Sequence, residues 1–252
     1  MSKVSYAVQL FALRDDCAQD FPATLRAVKA MGYEAVEFFG YHGHSAETLK
    51  QMLDDNGLQA VGTHLWLGAL SDDKIKEVAE FNAILGNPYL NAGGGEEYSG
   101  TREGALRLAE DVAHIAQAAA AHGAQFGYHN HSWEFWRVGE NGDYTMEILA
   151  ANTPPEVLFQ LDTGNTQEGG ADPIPFIEKW KHRMPTVHLK SFAKNHEPRY
   201  IGEDESDWKG ILNALEGGPT SFYIVDQGHW PPESTAQECV ARCLRNLQEL
   251  LK

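Results

Sequence analysis

Short apolar segments alternate with longer helical patterns along the chain, and the alternation occurs eight times. The short segments are typical of β-strands and the longer ones of helices. Strands that alternate with helices predict parallel pairing, because a parallel connection needs a crossover of helical length. The predicted strands begin at Ser5, Ala35, Ala60, Pro88, Phe126, Leu158, Thr186 and Ser221.

Capping residues mark several of the predicted helices. Ser45 is a suitable N-cap and Gly57 a suitable residue just past a helix end, so a helix is predicted from Ser45 to Asn56. Asp172 followed by Pro173 is another start signal. The remaining predicted helices cover 20–32, a segment opened by Ser71, 101–122, 144–151, 206–215 and 234–251.

Eight strand–helix units in 252 residues predict a (β/α)8 TIM barrel. Residues 1–252 are interpreted as a single domain, because no linker, low-complexity tract or change of composition interrupts them. A doubly wound sheet shares the alternation, but no G-x-G-x-x-G motif follows the first strand. The glycine run 93–95 has the wrong spacing for that motif and is interpreted as a flexible loop above a site.

Polar residues gather at the carboxyl ends of the predicted strands, which form the catalytic face of a TIM barrel. His129 and His131 are two apart on the predicted fifth strand, so both rings should face one space. Metal binding or proton transfer would use such a pair, and a hydrogen-bonded structural pair is the alternative. The next three strands also end in ionisable residues, namely Asp162, His188 with Lys190, and Asp226.

Aspartate and histidine together suit a borderline or hard divalent ion such as Mn²⁺, Co²⁺, Zn²⁺ or Mg²⁺. Such an ion would polarise a carbonyl, and a flanking carboxylate or imidazole would move the neighbouring proton. This chemistry suits isomerisation, epimerisation or β-elimination on a hydroxy-carbonyl compound such as a sugar. Gln9 and Asn91 could contact that substrate or bond loop backbone, and His64 could be a half-buried structural histidine.

The charge balance and composition exclude several classes of partner. A net charge of −16 and a pI near 5.0 argue against nucleic acid. No apolar run approaches the roughly 18 residues of a membrane span, and no signal-peptide pattern opens the chain. Three cysteines without ligand-like spacing favour a reducing, cytoplasmic setting. A small-molecule partner is therefore expected, and homo-oligomerisation stays open.

Seven motifs in this order resemble the sugar phosphate isomerase/epimerase group of xylose isomerase-like TIM barrels, and specifically its branch with a Y-H-N-H motif. The resemblance covers essentially the full length. It implies a divalent metal cofactor, with Mn²⁺ expected first and Zn²⁺, Co²⁺ or Mg²⁺ as alternatives. The motifs are VQLFALRDD, GYEAVEFFGYHG, GYHNHSWEF, LDTGN, HLKSF, IGEDESDWKGIL and FYIVDQ.

The family binds its metal with an acidic residue on the fifth strand, Asp on the sixth, His on the seventh and Glu on the eighth. By this resemblance Asp162 and His188 are metal ligands. Asp226 stands at the eighth-strand position and is one methylene shorter than Glu. At the fifth strand His129 takes the acidic residue's place, and Glu134 could instead fold back and ligate.

The resemblance implies a metal-dependent epimerase or isomerase that acts on an unphosphorylated sugar or keto-sugar by proton abstraction next to a carbonyl. A 3-keto-glycoside lyase or dehydratase, acting by β-elimination, is the first alternative, and a degenerate sugar-binding barrel without catalysis is the second. Glu37, His131 and Lys190 are predicted to be catalytic. The predicted substrate-binding residues are Gln9, His64, Asn91, Trp133 and Glu134.

Aromatic and basic residues near the strand ends bear on the charge of the substrate. Sugar rings stack on aromatic faces, whereas phosphates bind arginine or helix N-termini. We therefore predict a neutral sugar or glycoside, with loop packing as the alternative role of each tryptophan. The tryptophans are Trp66, Trp133, Trp136 and Trp230, and the few basic residues are Arg14, Lys190, Lys194 and Arg199.

Overall fold

The computed structural model describes residues 4–139 and 142–252. Within these ranges eight strands form one sheet, and every hydrogen-bonded pair of strands is parallel. The strands are β1 Ser5–Gln9, β2 Ala35–Phe39, β3 Gln59–Trp66, β4 Tyr89–Gly93, β5 Gln125–His129, β6 Leu158–Gln160, β7 Thr186–Leu189 and β8 Phe222–Val225. Their order across the sheet is β6-β5-β4-β3-β2-β1-β8-β7.

Helices connect the strands, as the sequence predicts. None of the helices in the described ranges is long and apolar enough to cross a membrane. The α-helices of these ranges are α1 Arg14–Met31, α2 Ala46–Asn56, α3 Asp72–Leu85, α4 Arg102–Ala121, α5 Thr145–Asn152, α6 Thr163–Glu168, α7 Pro173–Trp180, α8 Trp208–Leu215 and α9 Ala236–Leu250.

The barrel closes between β6 and β7, which are the two ends of the sheet order. Asp162 and His188 form a parallel bridge there, and the His188 backbone N–H donates to the Leu161 carbonyl at 2.9 Å. The predicted (β/α)8 barrel is therefore confirmed. Its closing seam carries two of the residues predicted to bind metal, so the fold itself brings them side by side.

Side-chain caps mark the starts of three helices where the sequence predicted them. The Ser45 hydroxyl accepts from the Thr48 N–H, and Gly57 past the end of α2 has φ 59°, which glycine adopts without strain. Ser71 and Asp172 cap α3 and α7 in the same way. Local capping chemistry was therefore a sound guide to these boundaries.

Two helical segments differ from the prediction. Helix α1 begins at Arg14, ahead of the predicted start at Asp20, and Asp20 lies at a kink with φ −154° and ψ 89°. The Asp20 carboxylate accepts from the Ala23 N–H at 2.9 Å, so it caps the second part of the helix. The sequence pattern does not predict α6, which starts because Asp162 accepts from the Asn165 N–H at 2.7 Å.

The two sides of the sheet differ in polarity. Between sheet and helices the core is apolar, with fully buried rings such as Phe126 and Phe159. Inside the barrel, Glu37, Asn91 and Gln160 are buried although they are polar. Buried polar groups need partners, so the barrel interior below the strand ends must contain a hydrogen-bond network.

Candidate active site

Strand β5 ends at His129, so His131 lies beyond the strand. The predicted alternation along one strand is wrong for this pair, although the two rings still meet, with centroids 5.3 Å apart. Asn130 redirects the chain: its side-chain oxygen accepts from the Asp162 N–H at 2.8 Å, and its amide donates to the His131 carbonyl at 3.1 Å. Asn130 is not among the residues predicted for the site, although its short amide side chain is suited to bonding nearby backbone.

The Glu134 carboxylate turns away from the site and holds His131 in place. It is fully buried, and it accepts from the Tyr128 hydroxyl at 2.6 Å and from the His131 N–H at 2.8 Å. Burial raises the pKa of Glu134 to about 7. Glu134 is thus placed to position His131, which corrects the predictions of substrate contact and of metal ligation.

Trp133 also contacts His131 instead of the pocket. The two rings stack with centroids 4.3 Å apart and an interplanar angle of 18°. Trp133 does not line the pocket described below, so its predicted contact with substrate is replaced by packing. Stacking fixes the plane of the imidazole.

Gly93 makes room for the same imidazole. A Cβ at Gly93 would lie 2.4 Å from His131 Cε1 and 3.0 Å from its Nδ1. Gly93 is the last residue of β4, and the glycine run 93–95 is buried. The interpretation of this run as a flexible loop above the site is therefore wrong, because close approach of a side chain requires glycine there.

Four side chains predicted as metal ligands meet at the carboxyl ends of β5 to β8. His129, Asp162 and His188 bring one ligand atom each within 4.8 Å of one another. Asp226 joins them, with Oδ2 3.4 Å from His188 Nδ1. One nitrogen or oxygen of each of these four side chains is buried without a hydrogen-bond partner. Buried polar atoms normally have partners, so this mixed nitrogen and oxygen set fits a divalent cation.

Glu37 lies inside the barrel and not at the pocket, which corrects its predicted contact with substrate. It is fully buried and accepts from His188 Nε2, from Asn91 Nδ2 at 3.1 Å and from Gln160 Nε2 at 3.1 Å. Asn91 therefore binds Glu37, which replaces its predicted contact with substrate. Because Nε2 of His188 donates to Glu37, its Nδ1 is the nitrogen directed at the carboxylates of Asp162 and Asp226.

The charges of this cluster depend on one another. Burial opposes protonation of His188, but Glu37 and Asp226 outweigh it and raise the pKa of His188 to about 10. Burial, followed by the neighbouring imidazoles, lowers the pKa of His129 well below its usual range. Burial raises the pKa of Asp162 to about 6. If a cation replaced the Nδ1 proton of His188, the ring of His188 would become neutral. The cation would then lie next to this ring and to the carboxyl groups of Asp162 and Asp226.

A pocket of about 330 Å³ opens over this cluster. Six of its lining residues were predicted site residues, and Asn165, which follows the sixth strand, also lines it: its side-chain oxygen accepts from Lys190 Nζ at 2.7 Å. His64 and His131 also form a second group with His129 whose ligand atoms lie within 4.8 Å of one another. The predicted residues that line the pocket are Gln9, His64, His129, His131, Lys190 and Asp226.

Two acid–base groups reach this pocket in different charge states. Burial and then His64 lower the pKa of His131 to about 4. Burial works against the charge of Lys190, but Asp162 and Asp226 outweigh it and raise its pKa. At neutral pH the pocket therefore contains a neutral imidazole that can accept a proton and an ammonium that can donate one.

Only part of the predicted aromatic mouth is present. Trp66 lines the pocket, whereas Trp136 is exposed elsewhere and Trp230 packs against the core. Phe11 and Phe39 line the pocket instead. The sequence did not single them out, because a phenylalanine at the end of an apolar strand resembles any core residue.

The sequence matches the xylose isomerase-like TIM barrel family over residues 25–247. The chain belongs to this family. An inosose dehydratase of Clostridium botulinum is 23% identical to this xylose isomerase-like barrel over 230 residues, which cover 82% of this chain and 74% of that protein.

Solved structures show the same fold. A sugar phosphate isomerase/epimerase of Parabacteroides distasonis has a TM-score of 0.84 at 24% identity, covering 98% of this chain and 100% of that chain. The IOLI protein with a bound zinc atom has a TM-score of 0.75 at 14% identity and covers 98% of both chains. An inosose dehydratase is thus among the proteins similar in sequence to this xylose isomerase-like barrel, and the solved structures share its fold.

Proposed function

We propose that this protein is a metal-assisted enzyme that removes the proton next to the carbonyl of an unphosphorylated keto-sugar and then eliminates the β-substituent. The observation that carries the proposal is the pairing of a neutral His131 with a charged Lys190 in one pocket. The inosose dehydratase relative supports it, because dehydration next to a ketone is a β-elimination. The lyase interpretation is therefore placed ahead of the epimerase interpretation.

The cofactor would be held by His129, Asp162, His188 and Asp226, whose unpartnered buried atoms fit a divalent ion. When bound, such an ion polarises the carbonyl and stabilises the enediolate. Two carboxylates among four donors favour Mn²⁺, and the zinc of the IOLI protein supports Zn²⁺ as the alternative.

His131 is the proposed base. Its pKa of about 4 leaves the imidazole unprotonated at neutral pH, and the residue lines the pocket. When the C–H bond breaks, the proton moves to His131 and the electron pair forms a C=C bond. The substituent on the next carbon leaves with its bonding pair and takes a proton from Lys190. The products are an unsaturated ketone and water or an alcohol.

The charges around the pocket support a neutral substrate. Lys190 is the only cationic side chain that lines the pocket among the described residues. Lys194 and Arg199 form ion pairs with surface glutamates. A phosphate group would therefore lack the arginine partners that phosphate sites normally supply.

Epimerisation is the second candidate, and one observation favours it. His131 follows β5 and Lys190 follows β7, so the two groups reach the pocket on either side of β6. One group could remove a proton from one face of the sugar while the other returns a proton to the opposite face. Elimination and epimerisation share the first step and differ in the mass of the product.

A reaction in D₂O separates these functions. A panel of 3-keto-glycosides is incubated with Mn²⁺-loaded protein and followed by NMR and mass spectrometry. Elimination yields an unsaturated ketone and a free leaving group. Epimerisation instead yields a stereoisomer of the substrate in which one hydrogen is replaced by deuterium. A protein that binds the metal and the keto-sugars but gives neither product is a sugar-binding barrel, and the enzymatic proposal is then rejected.

The base is tested by His131→Asn, with His122→Asn as the matched control because His122 is exposed at the end of α4. We expect His131→Asn to lower turnover at least tenfold, about 1.4 kcal/mol of barrier, with the metal content unchanged. His122→Asn should keep the parent rate. Equal turnover in both variants would show that His131 is not the base.

A further inference from the structure

Three large aromatic side chains remain exposed around the mouth of the pocket. Phe11 is 36% exposed, Phe39 45% and Trp66 50%, and all three line the pocket together with Leu65. Isolated exposed apolar residues are common, but several that converge on one concave site mark a surface that binds something.

The pocket has an apolar wall and a polar wall. Phe11, Phe39, Leu65 and Trp66 lie at the carboxyl ends of the adjacent strands β1, β2 and β3, and together we call them the aromatic wall. The acid–base groups and the candidate metal ligands lie at the carboxyl ends of β5 to β8 on the other part of the barrel mouth, whereas Gln9 and His64 are the polar lining residues on β1 and β3. A ligand that fits both walls must itself have one polar and one apolar part.

We propose that the aromatic wall binds an aromatic aglycone, so that the substrates are aryl glycosides with the sugar ring on the polar wall. The proposal rests on the proposed function in one respect, which is that a sugar occupies the polar wall. In the elimination described above, this aglycone would be the group that leaves as the alcohol.

The chemistry of the wall favours an aromatic ring over a second sugar. Phe11 and Phe39 form an edge-to-face pair with centroids 4.8 Å apart and an interplanar angle of 70°. A ligand ring in this corner can contact the face of one phenylalanine and the edge of the other, and aromatic pairs prefer offset-stacked and edge-to-face arrangements. Of the wall's four side chains only the Trp66 indole has a hydrogen-bonding group, and the side-chain oxygen of the neighbouring Gln9 already accepts from the Phe11 N–H, so a second sugar would find few partners for its hydroxyls.

The part of the wall that Phe11 forms is also held in place before a ligand arrives. The Gln9 side chain accepts from the Phe11 N–H at 3.1 Å. The Arg14 guanidinium lies 4.7 Å from the centre of the Phe11 ring and donates to the carbonyls of Phe11 and Gly228 at 3.2 Å and 3.1 Å. A preordered surface loses little side-chain entropy when it binds, which favours a specific ligand site.

Equilibrium binding tests the wall without catalysis. Phenyl and methyl β-glycosides of glucose and galactose, together with cellobiose, are titrated into Mn²⁺-loaded protein by calorimetry. These compounds carry no ketone, so elimination or its absence does not affect the result. We expect one phenyl glycoside to bind about tenfold tighter than its methyl counterpart, as burial of one aromatic ring allows.

Variants then assign the preference to the wall. Phe39→Ala and Trp66→Ala should each reduce the phenyl-to-methyl affinity ratio at least threefold, a modest share of an aromatic contact. Ile84→Ala on α3 is the control, because Ile84 is exposed and does not line the pocket. It should leave the ratio unchanged. Both aromatic residues are about half exposed and lie outside the core, so their truncation should leave the fold intact.

Four results would overturn the proposal. They are equal binding of phenyl and methyl glycosides, no binding of any of them, tighter binding of cellobiose than of either phenyl glycoside, and a dimer that Phe39→Ala converts to a monomer in sedimentation. The last result would identify the wall as a contact between copies of the chain. The elimination assay can fail while the aryl preference is found, so the two proposals are judged separately.

Discussion

Replacing Glu37 by glutamine should weaken metal binding although Glu37 is not a proposed ligand. Glu37 Oε1 accepts from Asn91 and Gln160, and Oε2 accepts from Nε2 of His188. In Glu37→Gln the amide oxygen can still accept from Asn91 and Gln160, but the amide nitrogen, which is a donor, then faces Nε2 of His188. His188 must accept there and carry its proton on Nδ1, the nitrogen that faces Asp226.

The expected loss follows from that change of tautomer. Removing the group that orients a metal-binding histidine typically lowers metal affinity 10- to 100-fold, which is about 1.4–2.8 kcal/mol. Rotating the new amide by 180° offers no escape, because its N–H groups would then face the amide donors of Asn91 and Gln160. The first arrangement leaves one of the three donors without an acceptor, and the rotated arrangement leaves two.

Calorimetric titration of Mn²⁺ and Zn²⁺ measures the affinity, and ¹⁵N chemical shifts of the His188 ring report which nitrogen is protonated. Glu134→Gln is the matched control, because Glu134 is also fully buried but bonds Tyr128 and His131 and does not contact His188. If Glu37→Gln binds both ions within twofold of the parent protein, or if Nε2 stays protonated, the orienting role of Glu37 is refuted.

Two other changes test the surroundings of His131. Gly93→Ala places a methyl group where His131 now lies, so we expect at least tenfold lower turnover, about 1.4 kcal/mol, together with a lower thermal stability from overpacking; parent-level activity would contradict the close approach. Burial raises the pKa of Glu134 from 4.5 to about 7. Between these two pH values the folded state keeps a proton on Glu134 that the unfolded state has released. The free energy of unfolding should therefore fall by about 3 kcal/mol as pH rises through this interval. Denaturation at pH 5 and pH 8 should show this fall for the parent protein but not for Glu134→Gln.

Local patterns were enough to predict the barrel and the residues at its strand ends. The eight strand–helix units, and caps such as Ser45 and Ser71, depend on neighbours within a few residues along the chain. The polar residues at the ends of β5 to β8 are also local signals, because a polar residue that ends an apolar strand is visible in the sequence. Asp162 and His188 could be proposed as ligands for this reason.

The roles within the site were decided by contacts between distant parts of the chain. Glu37 and His188 are 151 residues apart in sequence, and only closure of the barrel places a carboxylate of β2 against a ring of β7. Asn91 and Glu134 likewise have the side chains of substrate-binding residues, but buried partners take up their hydrogen bonds. A sequence determines which groups a strand carries, whereas their orientation depends on which partners the neighbouring strands supply. For this reason the strand-end chemistry was predictable, and the division into ligands, orienting groups and an aromatic wall was not.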